Sequence, residues 1–354
     1  MELDFGGGDE IRFERAGLTG VVTLTRPKAL NALTHRMIKA LAKALAAWEK
    51  DAAVRLVVVK AEGRAFCAGG DILDVYEARK SGNPPADFFA DEYRLNAYIG
   101  RYPKPYLSLI DGIVMGGGVG ISVHGSHRVA FDRFSFAMPE VSIGFFPDVG
   151  ATWFLPRMPG EIGTYCALTG ERFGIADGVG AGIATHRVPS ARFAALLEGL
   201  TGTVSVDAVL SAFSEPAGEG PIMARREAID RLFAGNTVEG ILAALDGEGA
   251  SGGFDAEWAA KTAAAMRAKS PLSLKLALAQ VRHGAVADFE TCMRTEMRIV
   301  SRIIHGHDFY EGVRAVIVDK DNKPRWLPAT LAEVSEAEVA RHFAPLDDGE
   351  LTLP

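Results

Sequence analysis

The spacing of apolar positions changes along the chain, and each change marks an element. Between Ile11 and Thr25, short apolar stretches ending in the β-branched run Val21, Val22, Thr23, Leu24, Thr25 flank a turn at residues 16–20 and predict a β-hairpin. Beyond Pro27 the period lengthens. Met37, Ile38, Leu41, Ala44, Leu45 and Trp48 share one helical face behind Thr34, a candidate cap, and predict an amphipathic helix within residues 31–50. Residues 56–60 and 106–110 are continuous apolar runs, as strands covered on both faces require, and each precedes a glycine-rich break and then a helix. Two further short strands are expected at 127–131 and 134–138, around Asp132 and Arg133, ahead of a loop at 139–150.

Helical patterns return at 161–169 and 176–180, and they dominate afterwards at 191–200, 221–234, 237–245 and 255–268. Ser270 followed by Pro271 is a helix start for 272–282, and 288–305 reads as a second long helix. The expected organisation is thus an α/β region over residues 1–190 and a mainly helical region over 191–354. The acidic tail, 346–354, is expected to fray.

Composition removes several function classes. At 354 residues and 48% hydrophobic, the chain can bury a large core without staples. Thirty-eight Lys and Arg against 45 Asp and Glu leave a net charge of −7 with no dense basic run, so neither nucleic acid nor an anionic membrane is an expected partner. No apolar run approaches the roughly 18 residues of a membrane span, and the opening MELDFGGGDE lacks the features of a secretory signal. A cytoplasmic location is expected. Cys67, Cys166 and Cys292 are scattered, and His305-Gly306-His307 lacks a third ligand in helical register, so no metal site is expected.

Three segments carry candidate chemistry. In the first break, Gly63 to Ile72, Gly69-Gly70 lets backbone N–H groups converge on an oxyanion; the same residues also suit a tight turn capped by Asp71. Cys67 beside it is either an activated thiol or a small buried residue. In the second break, Gly116-Gly117-Gly118 runs into a helix and implies backbone approach to a ligand or close helix–sheet packing. The dinucleotide fingerprint fails, because Ile121 stands where the third glycine is needed. The third segment sets two acids in matched frames, Met138-Pro139-Glu140 and Phe146-Pro147-Asp148. Apolar residues between them should pack inward and leave both carboxyls at the rim of an apolar cavity, where burial raises a carboxyl pKa toward proton-transfer use. Two loop carboxylates on solvent would show the same pattern.

Together, AFCAGGDI at 65–72, MGGGVG at 115–120 and MPEVSIGFFPDVG at 138–150 resemble the crotonase (enoyl-CoA hydratase/isomerase) superfamily. The likeness extends over about residues 10–330 and is closest to its 3-hydroxyisobutyryl-CoA hydrolase branch, through Asp91-Glu92-Tyr93, Lys104-Pro105-Tyr106, Ser122-Val123-His124-Gly125, residues 181–186 and residues 308–315. The resemblance implies a spiral of ββα turns with a helical C-terminal region, and an acyl-CoA substrate whose coenzyme A is part of the substrate, with no separate cofactor. By motif position it implies Gly70 and Gly117 as the oxyanion-hole donors, and Ala68 and Ile72 along the CoA adenine. Glu140 becomes nucleophile or general base, Asp148 its orienting partner or proton carrier, and Glu92 the holder of the acyl hydroxyl. The first hydratase glutamate falls on Gly120, which has no carboxyl. The expectation is therefore thioester hydrolysis in valine breakdown. A hydratase or isomerase using one carboxylate, and a non-catalytic acyl-CoA binder, are the alternatives. The superfamily's C-terminal helices also raise a homo-oligomer, although helices folded back on their own core would read the same.

Overall fold

The computed structural model describes residues 1–79, 85–202 and 205–353. Strands β1 (Glu2–Leu3), β2 (Ile11–Ala16) and β3 (Thr19–Leu24) form an antiparallel edge, so the expected hairpin gains a short outer strand. Helix α1 (His35–Lys50) follows, starting at 35 within the expected 31–50, because Thr34 caps it by accepting the Met37 N–H at 3.2 Å. Such a cap contributes about 1 kcal/mol.

The chain then winds through three similar turns. Each lays one strand in a large sheet and the next in a small one. The first turn is β4 (Leu56–Ala61), β5 (Ala65–Cys67) and helix α2 (Ile72–Ala78). After helix α3 (Ala86–Gly100) comes the second, β6 (Tyr106–Ile110), β7 (Ile113–Met115) and helix α4 (Gly117–Val123). The third is β8 (His127–Ala130), β9 (Ser135–Ala137) and a 3-10 turn at Glu140–Ile143. With β10 (His186–Arg187) the large sheet runs β1-β2-β3-β4-β6-β8-β10, parallel from β3 onward, and β5-β7-β9 form the small parallel sheet.

This is the expected spiral of ββα turns, with two differences. The glycine breaks contain β5 and β7, three-residue strands too short to show a period of two. Asp71 precedes α2 without capping it through its side chain; its carboxylate meets Arg26 at 2.8 Å instead.

Beyond Arg187 the described residues form helices and loops. Helix Pro271–Gly284 buries Leu274, Leu276, Leu278 and Val281, and helix Phe289–Ile303 buries Met293, Ile299 and Val300, in the same apolar cluster as residues of α1, β4 and α3. Both long helices therefore fold back on their own core. The described tail, 346–353, does not fray: Glu350 pairs with Arg298 at 2.7 Å, Arg94 Nε donates to the Thr352 carbonyl at 3.2 Å, and Leu351 is buried. An acidic tail alone has no reason to order, but here arginines from α3 and Phe289–Ile303 supply partners. Among the described residues no helix is long and apolar enough to cross a membrane.

Candidate active site

A cavity of about 470 Å³ opens where the first two spiral turns meet the loop after the third. Its lining includes all seven residues singled out in the sequence: Ala68, Gly70 and Ile72 from the first turn, Gly117 from the second, Glu92 from α3, and Glu140 and Asp148 from the loop. The remaining wall is mostly apolar, with Phe88, Phe145 and Ile317 among it.

Among the described residues, the N–H groups of Gly70 and Gly117 are left without a partner, each in a different way. Leu33 bridges in parallel across Gly70, donating to the Gly69 carbonyl at 2.9 Å and accepting from Asp71 N–H at 2.8 Å. Gly70 itself is skipped by this pattern. Gly117 opens α4, and first-turn N–H groups have no intrahelical acceptor. The residue before each donor is a glycine at positive φ, +125° at Gly69 and +46° at Gly116, where a side chain would be strained. The turns lie against each other, since a Cβ built on Gly117 would stand 3.3 Å from Gly70 N. Of the two readings of the glycine triple, close packing is present at Gly118, where a Cβ would lie 2.2 Å from the Cys67 carbonyl oxygen.

The carboxyls are buried, not on solvent. Val141, Phe145 and Phe146 pack inward, with Phe145 5.7 Å from Phe89 and 5.3 Å from Phe309. Residues 308–315 thereby back the loop. Glu140 and Asp148 are 6% and 5% exposed, and Glu92 is 2% exposed. Burial, and then the charge of Asp148, pushes Glu140 well above the usual carboxylate range. Glu92 is raised by burial and then by Asp148 and Glu296. Asp148 is also raised by burial, and the Tyr93 hydroxyl, which donates to its Oδ2 at 2.9 Å, pulls it partly back. Oε2 of Glu140 and Oε1 of Glu92 have no partner among the described residues, so both can take a ligand group. Cys67 is the small buried residue of the two readings; burial drives its thiol up to about 12, which keeps it unreactive.

Gly120 differs from a vacant position. A Cβ there would meet Asn96 Nδ2 and Val149 Cβ, each at 2.8 Å, so no larger side chain fits without movement.

A family model described as Enoyl-CoA hydratase/isomerase matches residues 19–343. The chain belongs to that family. A zebrafish (Danio rerio) mitochondrial 3-hydroxyisobutyryl-CoA hydrolase is 45% identical over 98% of the chain and 92% of the relative. The human protein of the same name is 43% identical over 99% and 92%, and Arabidopsis thaliana 3-hydroxyisobutyryl-CoA hydrolase 1 is 39% identical over 100% and 97%. Among solved structures, a carnitinyl-CoA dehydratase from Mycobacterium thermoresistibile superposes with TM-score 0.91 at 44% identity, covering 98% of this chain and 99% of that one. An enoyl-CoA hydratase from Rhodobacter sphaeroides superposes with TM-score 0.89 at 40% identity, covering 97% and 100%.

The expected cytoplasmic location is corrected by these family members, because the vertebrate hydrolases are named mitochondrial. Charge and hydropathy separate aqueous from membrane environments; they do not distinguish one reducing compartment from another.

Residue-level reading of the sequence passed over the groups that support the site. Tyr93 was visible only as a neighbour of Glu92. Glu296 carried a clearer signal, a charged residue inside the apolar stripe Cys292, Met293, Met297, Ile299, Val300 of its helix, where an unpaired charge is costly.

Proposed function

We infer that the chain is an acyl-CoA thioester hydrolase that cleaves 3-hydroxyisobutyryl-CoA to 3-hydroxyisobutyrate and CoA, a step of valine breakdown. One observation carries the choice over a hydratase: the position of the first hydratase glutamate is Gly120, closed by Asn96 and Val149, while Asp148 joins Glu140 in the cavity. The names of the curated relatives support the same reading.

The thioester carbonyl oxygen accepts the free N–H groups of Gly70 and Gly117, which stabilise the negative charge that develops there. The carboxylate of Glu140 either attacks the carbonyl carbon, forming a mixed anhydride as the C–S bond breaks, which water then hydrolyses to the free acid and Glu140, or takes a proton from a water that attacks the carbonyl carbon directly. Asp148, held by Tyr93, orients Glu140 or carries the proton that the departing thiolate accepts. Oε1 of Glu92 receives the acyl hydroxyl, and Ala68 and Ile72 border the CoA moiety where the cavity is apolar.

The test is thiol release from 3-hydroxyisobutyryl-CoA beside loss of the enoyl chromophore of crotonyl-CoA. Hydrolysis should be much the faster reaction. Glu140→Gln should lower kcat by on the order of 10³-fold while isothermal calorimetry still records substrate binding. Faster hydration would restore the hydratase reading, and binding without either reaction would leave an acyl-CoA binder.

A further inference from the structure

The loop that presents Asp148 adopts a conformation its own residues disfavour. Val149 has φ +53°, a region that β-branched residues rarely enter, and it is fully buried against Gly120. Three side chains from distant parts of the sequence hold it there. Glu296 accepts the Gly150 N–H through Oε2 at 2.7 Å and the Thr152 N–H through Oε1 at 2.8 Å. Gln280, in the helix Pro271–Gly284, donates its Nε2 to the Pro147 carbonyl. His124, the C-cap of α4, donates Nε2–H to the Val149 carbonyl at 2.7 Å; burial lowers its pKa to about 4, so the ring is neutral. Contacts at 147, 149, 150 and 152 thus bracket Asp148 on both sides. None of the three side chains lines the cavity.

We propose that Glu296, assisted by Gln280 and His124, is a positioning residue that fixes the Asp148 loop against its intrinsic preference and so holds the Asp148 carboxyl at the reacting centre. This rests on the reading of Asp148 as part of the hydrolase. A carboxyl group suits the task because each of its two oxygens has a lone pair for one of the two convergent N–H donors, whereas a glutamine would turn an NH₂ toward one of them. It is also an ionisable group placed in an apolar core, where stability alone would favour an apolar residue. The strained loop gives that buried acid its use: the same clamp that sets Asp148 holds Val149 against Gly120, on the site of the absent glutamate.

The experiment is a cycle of Glu296→Gln and Asp148→Asn, singly and together, with kcat and KM for 3-hydroxyisobutyryl-CoA read by thiol release and folding read by calorimetry. Glu296→Gln should lower kcat by on the order of 10- to 100-fold with KM changed less than about threefold, since a small displacement of a catalytic group costs rate rather than binding. In the Asp148→Asn background the same substitution should cost less than about twofold, because no carboxylate remains to be positioned. A purely structural Glu296 would lower Tm and leave the kcat of the folded enzyme alone. Folded Glu296→Gln with more than about half the wild-type kcat, or losses that multiply in the double variant, would overturn the clamp. If Asp148→Asn by itself keeps wild-type kcat, the catalytic reading of Asp148 falls and the clamp with it; if only Asp148→Asn is slow, the clamp alone falls. Should Glu296→Gln not fold, Gln280→Leu enters the same cycle with the same expected outcomes.

Discussion

Glu92, Glu140, Asp148 and Glu296 are buried, and among the described residues none has a Lys, Arg or His partner. Each is held above the usual carboxylate range, so between ordinary and raised values the folded chain binds more protons than the unfolded one. Stability contributed by these groups is therefore complete at acid pH and is lost as pH rises through the raised values. For Asp148 that window runs from 3.8 to about 7, and for Glu296 from 4.5 to about 8. Calorimetry should show Tm falling by several degrees between about pH 5 and pH 8. Asp148→Asn should flatten the fall, because it removes one titration and the charge that, after burial, raises the other three; an unchanged slope would contradict this account. The oxyanion turn allows a second single-residue test. A side chain at 117 would begin 2.5 Å from Glu92 Oε1 and 3.2 Å from Leu33 Cδ1, so Gly117→Val should reduce kcat by on the order of 10²-fold or more in thiol-release assays.

At the level of elements, α3 and α4 pack so that the place of the first hydratase glutamate is closed. Glu92, Tyr93 and Asn96 lie on the buried face of α3, and Asn96 and Val149 fill the space beside Gly120 of α4. Restoring the hydratase residue by Gly120→Glu should therefore not restore hydration. The new side chain must displace Asn96 or Val149, an overpacking that costs about 1–3 kcal/mol or more. The expected result is a lower Tm and no gain in crotonyl-CoA hydration. Efficient hydration by Gly120→Glu would show that the missing carboxyl, and not the packing around it, separates the two chemistries.

Across the whole molecule, the division near residue 190 stands as our proposal, on the change from strands to helices. The two parts share one apolar cluster, to which Leu274, Leu276 and Met293 contribute beside Val57, Val59 and Tyr93. The later part also reaches the Asp148 loop through Gln280 and Glu296. A fragment of residues 1–190 should therefore lack cooperative unfolding when produced alone, and adding residues 191–354 as a separate chain should recover it. Circular dichroism through a thermal ramp would measure this, and a sharp transition in the fragment alone would show an independent core.

Much of this architecture was written locally. Periods of two and 3.6, the Thr34 cap and the Ser270-Pro271 start locate α1, the long strands and the late helices, because backbone preference and burial of one face act over a few residues. The resemblance at 65–72, 115–120 and 138–150 also gathers the residues that prove to share one cavity. What local pattern could not supply was contact between distant segments. Three-residue β5 and β7 exist because a neighbouring strand pairs with them, and α3 went unread because its apolar positions, Phe88, Phe89, Tyr93 and Ile99 among them, spread around more than one face. The tail is ordered by arginines far upstream. The sequence alone determined which chemistry was missing at Gly120; only the tertiary structure decided that its place is filled, and that Glu296, about 150 residues from Asp148, clamps the loop beside it.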